Sequence, residues 1–149
     1  NNRKNKKEDG ILVSQKVLLT WLIESEEIFH QIEKYITPED FSEGLFRKVA
    51  ELLYEQYEKH EANPAQIMNH FTDEEEHREV AGLFHTKIKE LTTVKEQEKA
   101  LQETILRVKE HSIEEATKNL DPTDIQGLQR LMNEKRKMQD LRTLHISIN

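Results

Sequence analysis

A chain of 149 residues has room for one packed domain, or for a bundle with a small appendage, and Leu, Ile, Val and Phe fill 39 positions, enough apolar surface to fold. With no Cys there is neither a disulfide nor a thiolate metal site, a reducing cytoplasmic setting is expected, and no apolar run nears the roughly 20 residues that cross a bilayer. The net charge of −7 is uneven: residues 37–90 hold thirteen acids against six bases and 122–149 three against five, so the acidic part would repel a phosphate backbone and little direct DNA binding is expected.

The first ten residues, Asn1 to Gly10, are polar and predict an interdomain linker in a fragment of a larger protein. Residues 11–24 place Ile11, Leu12, Leu18, Leu19, Trp21, Leu22 and Ile23 around more than one helix face, which predicts a central, well-buried helix. Ser25 reads as the N-cap of a second helix carrying Ile28, Phe29, Ile32, Tyr35 and Ile36. Thr37-Pro38-Glu39-Asp40 supplies a cap, an N1 proline and first-turn acids, and so starts a short turn. From Ser42 to about His60, Leu45, Phe46, Val49, Leu52, Leu53 and Tyr57 follow helical spacing. Asn63-Pro64 repeats the cap-and-proline signal before Ile67 and Met68. Thr72-Asp73-Glu74-Glu75 then reads as a capping box for a helix with Val80, Leu83, Phe84, Ile88 and Leu91 inward.

Thr93-Val94-Lys95-Glu96 is a second capping box, and no breaker follows until Asp121-Pro122. The seam of that long helix is Leu101, Ile105, Val108, Ser112, Ala116 and Leu120. Asp121-Pro122-Thr123-Asp124 caps a last helix with Ile125, Leu128, Leu131, Met132, Met138, Leu141 and Leu144 at three-four spacing. Two helices joined by so short a turn run antiparallel. The predicted fold is therefore all-α: a multi-helix bundle at 11–92, then a long helix and C-terminal helical hairpin at 93–149. Ile146 and Ile148 trail past the last helix and are expected to stay wet.

Signs of chemistry are few. Glu27/His30 and Glu74/His77 have the i, i+3 spacing of di-iron carboxylate ligands, but such pairs are common by chance in so Glu-rich a chain, and the further core carboxylates are missing from the pattern. There is no phosphate loop, nucleophile elbow or HExxH, so no catalytic residue, metal or cofactor is expected. Lys135-Arg136-Lys137 with Arg130 and Arg142 could meet phosphates, though a solvated face is the simpler reading. Trp21 reads as core rather than as an interface anchor.

Val17-Leu18-Leu19-Thr20-Trp21-Leu22-Ile23, Ile36-Thr37-Pro38-Glu39-Asp40-Phe41, Leu45, Val49, Leu52-Leu53 and Asn63-Pro64 form a pattern over residues 11–91. It resembles two related helical domains: the one that closes a bacterial DnaG-type primase, as in Bacillus-like bacteria, and the N-terminal domain of the DnaB-type replicative helicase that it binds. The helical pair at 93–149 resembles the primase version, since the helicase would run on through a linker into an ATPase. The resemblance implies a non-catalytic domain at the replication fork, in a parent that is a nucleotidyltransferase. Its bundle modulates the helicase and its hairpin docks on the helicase's hexameric N-terminal collar, the domain alone being a monomer. On amphipathicity and the family's end-of-chain interface, the expected docking residues are Met138, Leu141, Arg142, Leu144, His145, Ile146 and Ile148, with Ile113 and Leu106 beside them. The alternatives are a helicase collar domain, which would self-associate, and an all-helical nucleic-acid-binding module.

Overall fold

Ser25 breaks one helical run and starts the next: its backbone is extended and its hydroxyl accepts from the N–H of Ile28 at 3.2 Å, supplying a partner that a first helical turn lacks. In the computed structural model, which describes residues 2–85 and 92–148, this joint separates α1 (Asn2–Glu24) from α2 (Glu26–Ile32). A 3-10 turn (Pro38–Asp40), α3 (Leu45–Glu58), a second 3-10 segment (Pro64–His70), α4 (Glu74–His85), α5 (Val94–Lys118) and α6 (Ile125–Thr143) follow. The described residues are all helix, turn and coil, with no strand.

Local chemistry places most ends where the sequence predicts them. Thr93 and Asp124 cap α5 and α6 by accepting from the N–H groups of Glu96 and Gly127. At α4 the cap is Asp73, which accepts from Glu76, rather than the first residue of the predicted box. The polar segment expected as a linker is helical, for α1 runs back to Asn2 in one helix: Lys, Glu and Arg are good helix formers, and Gly10 alone does not stop it. The second helix is shorter than its apolar spacing suggests, because the chain turns at Glu33 to enter the Pro38 segment. Ile88 and Leu91 lie outside the described residues.

Leu18, Leu19 and Leu22 of α1, Ile28, Phe29 and Ile32 of α2, Val49 and Leu53 of α3 and Val80 and Leu83 of α4 close one core, and Trp21 is buried with them. Leu101, Ile105 and Val108 of α5, Leu141 of α6 and Ile146 beyond it belong to the same cluster. Buried hydroxyls are satisfied locally: Thr20 and Thr104 each donate to a carbonyl four residues back. Gln15 and Ser42 exchange two hydrogen bonds, of 2.8 and 3.0 Å, which tie α1 to the loop before α3.

Phe29 sits between two phenol rings, Tyr54 and Tyr57, each with its centroid 4.7 Å away. Tyr54 donates to the carbonyl of Ile36 and Tyr57 to that of Leu22. Burial pushes both phenols up, Tyr57 to about 12. A phenol raised on folding keeps its contribution below the unfolded value near 10 and loses it as pH climbs through the folded value. The fold is therefore expected to weaken from about pH 10 upward, and Tyr57→Phe to blunt that loss while costing about 1 kcal/mol at neutral pH for the missing hydrogen bond. Urea unfolding midpoints of both forms between neutral pH and pH 11 measure this; equal slopes above pH 10 would refute it.

Candidate protein-interaction surface

The most unusual buried group is Lys109, in the middle of α5, with no exposed surface. Its Nζ donates to the Tyr35 carbonyl (2.8 Å), to both carboxylate oxygens of Asp40 (3.2 Å each) and to Oε2 of Glu134 on α6 (2.9 Å). Asp40 also accepts from Ser112 Oγ at 2.7 Å and from the N–H of Thr37 at 2.8 Å. A buried ammonium with three acceptors directed at it is fully satisfied, and it joins the Pro38 turn, α5 and α6 at one point. Helical periodicity gives no signal of this, since Lys109 and Asp40 stand 69 residues apart.

Beyond that point the side chains at the end of α5 and the start of α6 are exposed. Lys109 to Lys118 is about 14 Å of helix at 1.5 Å per residue, and residues 114–119 and 121–126 are all exposed. A cleft of about 760 Å³ separates this end from the Pro38 turn, bordered by Glu39, Glu43, Arg47, Ile113, Leu120 and Asp121 among others. The tip is nonetheless ordered by local chemistry. Asp121 accepts from the N–H and the hydroxyl of Thr123, which holds its carboxyl below the usual carboxylate range. Gly127 is buried so closely that a Cβ would meet the Asp124 carboxylate and a Leu120 methyl, so the glycine lets the turn close.

α6 divides cleanly. Gly127, Leu131, Met138 and Leu141 are buried, and Glu134 turns in toward Lys109. Ile125, Leu128 and Met132, at i, i+3 and i+7, face solvent at 70, 39 and 63 % exposure. Lys135 and Arg136 continue that outward face, both exposed. A helix with apolar groups on both sides has a second surface to cover.

The expected docking residues do not form one surface. Ile146 is 2 % exposed and Met138 and Leu141 are buried, so these three are corrected from contact residues to packing residues, while Leu144, Ile148 and Leu106 are half-buried against the core. The reason is the segment after α6, which folds back on the body instead of projecting. Gln31 and Ser147 exchange two hydrogen bonds of 2.8 Å, the N–H of Ile148 donates to Glu98 at 2.9 Å, and Gln102 Nε2 lies 3.1 to 3.3 Å from the carbonyls of Leu141, Arg142 and Leu144. Those carbonyls stand at the helix end, where the Leu141 carbonyl also accepts from the N–H of Leu144. Arg142 and His145 are exposed, and Ile113 is half-buried on the cleft. Ile125, Leu128 and Met132, apolar positions of the same three-four pattern, are the exposed ones. Their spacing of i, i+3, i+7 differs little from that of Leu131, Met138 and Leu141, so periodicity alone does not say which row is inward.

His30 bonds Glu33 at 2.8 Å and Glu26 at 3.0 Å, which raises its pKa, while Glu27 of the Glu-x-x-His pair and both members of the Glu74/His77 pair are exposed. Comparison with protein-family models, with curated proteins and with solved structures found no match to this chain.

Proposed function

We propose that this chain is the helicase-docking domain of a bacterial DnaG-type primase. In this reading it has no catalytic role and no cofactor. It acts in the cytoplasm at the fork, a monomer alone, and docks on the N-terminal domains of a hexameric DnaB-type helicase, tuning its activity. Support for the family comes from the resemblance carried by residues 11–91, in which the Pro38-Glu39-Asp40-Phe41 turn is the element that Lys109 fastens to α5. The observation that carries the docking role is the outward face of α6: Ile125, Leu128 and Met132 stand exposed in one row on a locally ordered end. Such a row suits helix-in-groove recognition, and its preorganisation lowers the cost of binding. Tethering would then raise the effective concentration of a linked primer-synthesising domain at the helicase.

The test is calorimetric titration of the chain against the N-terminal domain of a DnaB-type helicase. Truncation after Leu120 is a poor control, because it removes Leu141 and Ile146 from the core. The double substitution Ile125→Asp/Met132→Asp removes two of the three apolar groups of the row, neither of them in the core. It is expected to weaken binding at least tenfold, about 1.4 kcal/mol or more, with an unchanged melting curve; absence of binding by the unaltered chain would refute the proposal. A nucleic-acid role finds some support in exposed Lys135, Arg136 and Arg142. Duplex binding that falls steeply with salt would favour it.

A further inference from the structure

Resting on the docking role just proposed, we infer that α6 inserts into an apolar protein groove bordered by carboxylates, with apolar contact over Ile125, Leu128 and Met132 and acidic groups over Lys135 and Arg136. Positive charge is left over on α6 once the fold has paired what it uses. α6 carries five bases, Arg130, Lys135, Arg136, Lys137 and Arg142, and two acids, Glu134 and Asp140, a surplus of three in a chain of net charge −7. Glu134 is spent inward on Lys109 and pairs Lys137 at 3.4 Å, and Arg130 lies 3.6 Å from Asp124. Lys135, Arg136 and Arg142 have no ion pair among the described residues, and Asp140 is the one remaining acid of the helix. Arg136 stands four residues after Met132 and Lys135 seven after Leu128, so both extend the apolar rows toward the C-terminal end. A partner must therefore cover apolar groups first and meet cations next along the same line.

A second copy of this chain is the weaker occupant. Its α6 carries the same surplus of cations, so a copy's α6 sets like charge against Lys135 and Arg136 instead of carboxylates. Its cleft is lined by acids, but these are largely matched by the chain's own cations: Asp40 and Glu134 by Lys109, Glu43 by Arg47, Glu115 by Lys118 and Asp124 by Arg130.

The experiment is titration of the full chain against the helicase N-terminal domain at about 50 and 300 mM salt, where screening lengths differ by more than twofold. The variants are Lys135→Glu/Arg136→Glu and, with the same change of net charge elsewhere, Lys95→Glu/Lys99→Glu on the exposed start of α5. The α6 reversal is expected to weaken binding about 10- to 100-fold at low salt, mainly through the association rate, with the gap narrowing at high salt. The α5 reversal is expected to change it less than about twofold, as a remote exposed charge does under screening. Equal effects of the two reversals, or tighter binding by the α6 variant, would overturn the inference while leaving the docking role standing. No binding by the unaltered chain would overturn both. Sedimentation of the chain alone showing a dimer that the α6 reversal dissolves would replace the groove with a second copy.

Discussion

Replacing Lys109 with Met is expected to destabilise the fold by about 3–5 kcal/mol, the range seen when one partner of a buried ion pair is removed. Met keeps the length and much of the volume, so the loss reports charge and hydrogen bonding rather than a cavity. It leaves Asp40, 4 % exposed, with its bonds to Ser112 and Thr37 but without a countercharge, and removes a donor from the Tyr35 carbonyl. At about 2–4 °C per kcal/mol for a domain of this size, the melting temperature should fall by roughly 10 °C. Adding Asp40→Asn to Lys109→Met should recover part of the loss, since the uncompensated charge is then gone. Glu134→Gln should cost less than Lys109→Met, because Glu134 is a third exposed and water can take the place of one bond. Urea denaturation of the four proteins checks the set; a Lys109→Met loss below about 1 kcal/mol would show the pair to be no more than a surface bridge.

Ile146→Ala is expected to cost about 2–4 kcal/mol, the ordinary range for truncating a buried Ile. From its sequence position, past the end of the last helix, the same change should be silent for folding and harmful only to binding. The two expectations separate on one unfolding curve. Ile146 is 2 % exposed among core residues, and its neighbour Ser147 is held by Gln31 through both backbone groups, so the segment is a strap over the body. Any loss of helicase binding by Ile146→Ala should track the fraction unfolded. An unchanged midpoint in urea would refute the strap.

The fold class was legible, and for physical reasons that can be named. Leu18, Leu19, Leu22, Phe46, Val49, Leu53, Leu101, Ile105 and Val108 recur at helical spacing and all lie in the core. Ser25, Thr93 and Asp124 begin helices because their side-chain oxygens accept from orphan N–H groups within three residues, an interaction that short-range sequence contains. The candidate surface was less legible. α6 has apolar residues on two faces, and choosing the inward one needs the position of α5 and of Lys109.

Sequence alone determined what depends on neighbours a few residues apart: helices, most of their caps, the turn at Thr37-Pro38, the antiparallel sense of the last two helices, and the absence of thiol chemistry. Tertiary structure alone decided which row of α6 faces solvent, where the final residues go, and that one lysine of a Glu- and Lys-rich helix is buried. Burial of Lys109 requires acceptors from residues 35, 40 and 134 to converge on one point. Burial of Ile146 requires amide and carboxylate partners from α2 and α5 for the backbone around it. Both rest on satisfying polar groups across long sequence separations, a constraint that exists only once the chain has packed.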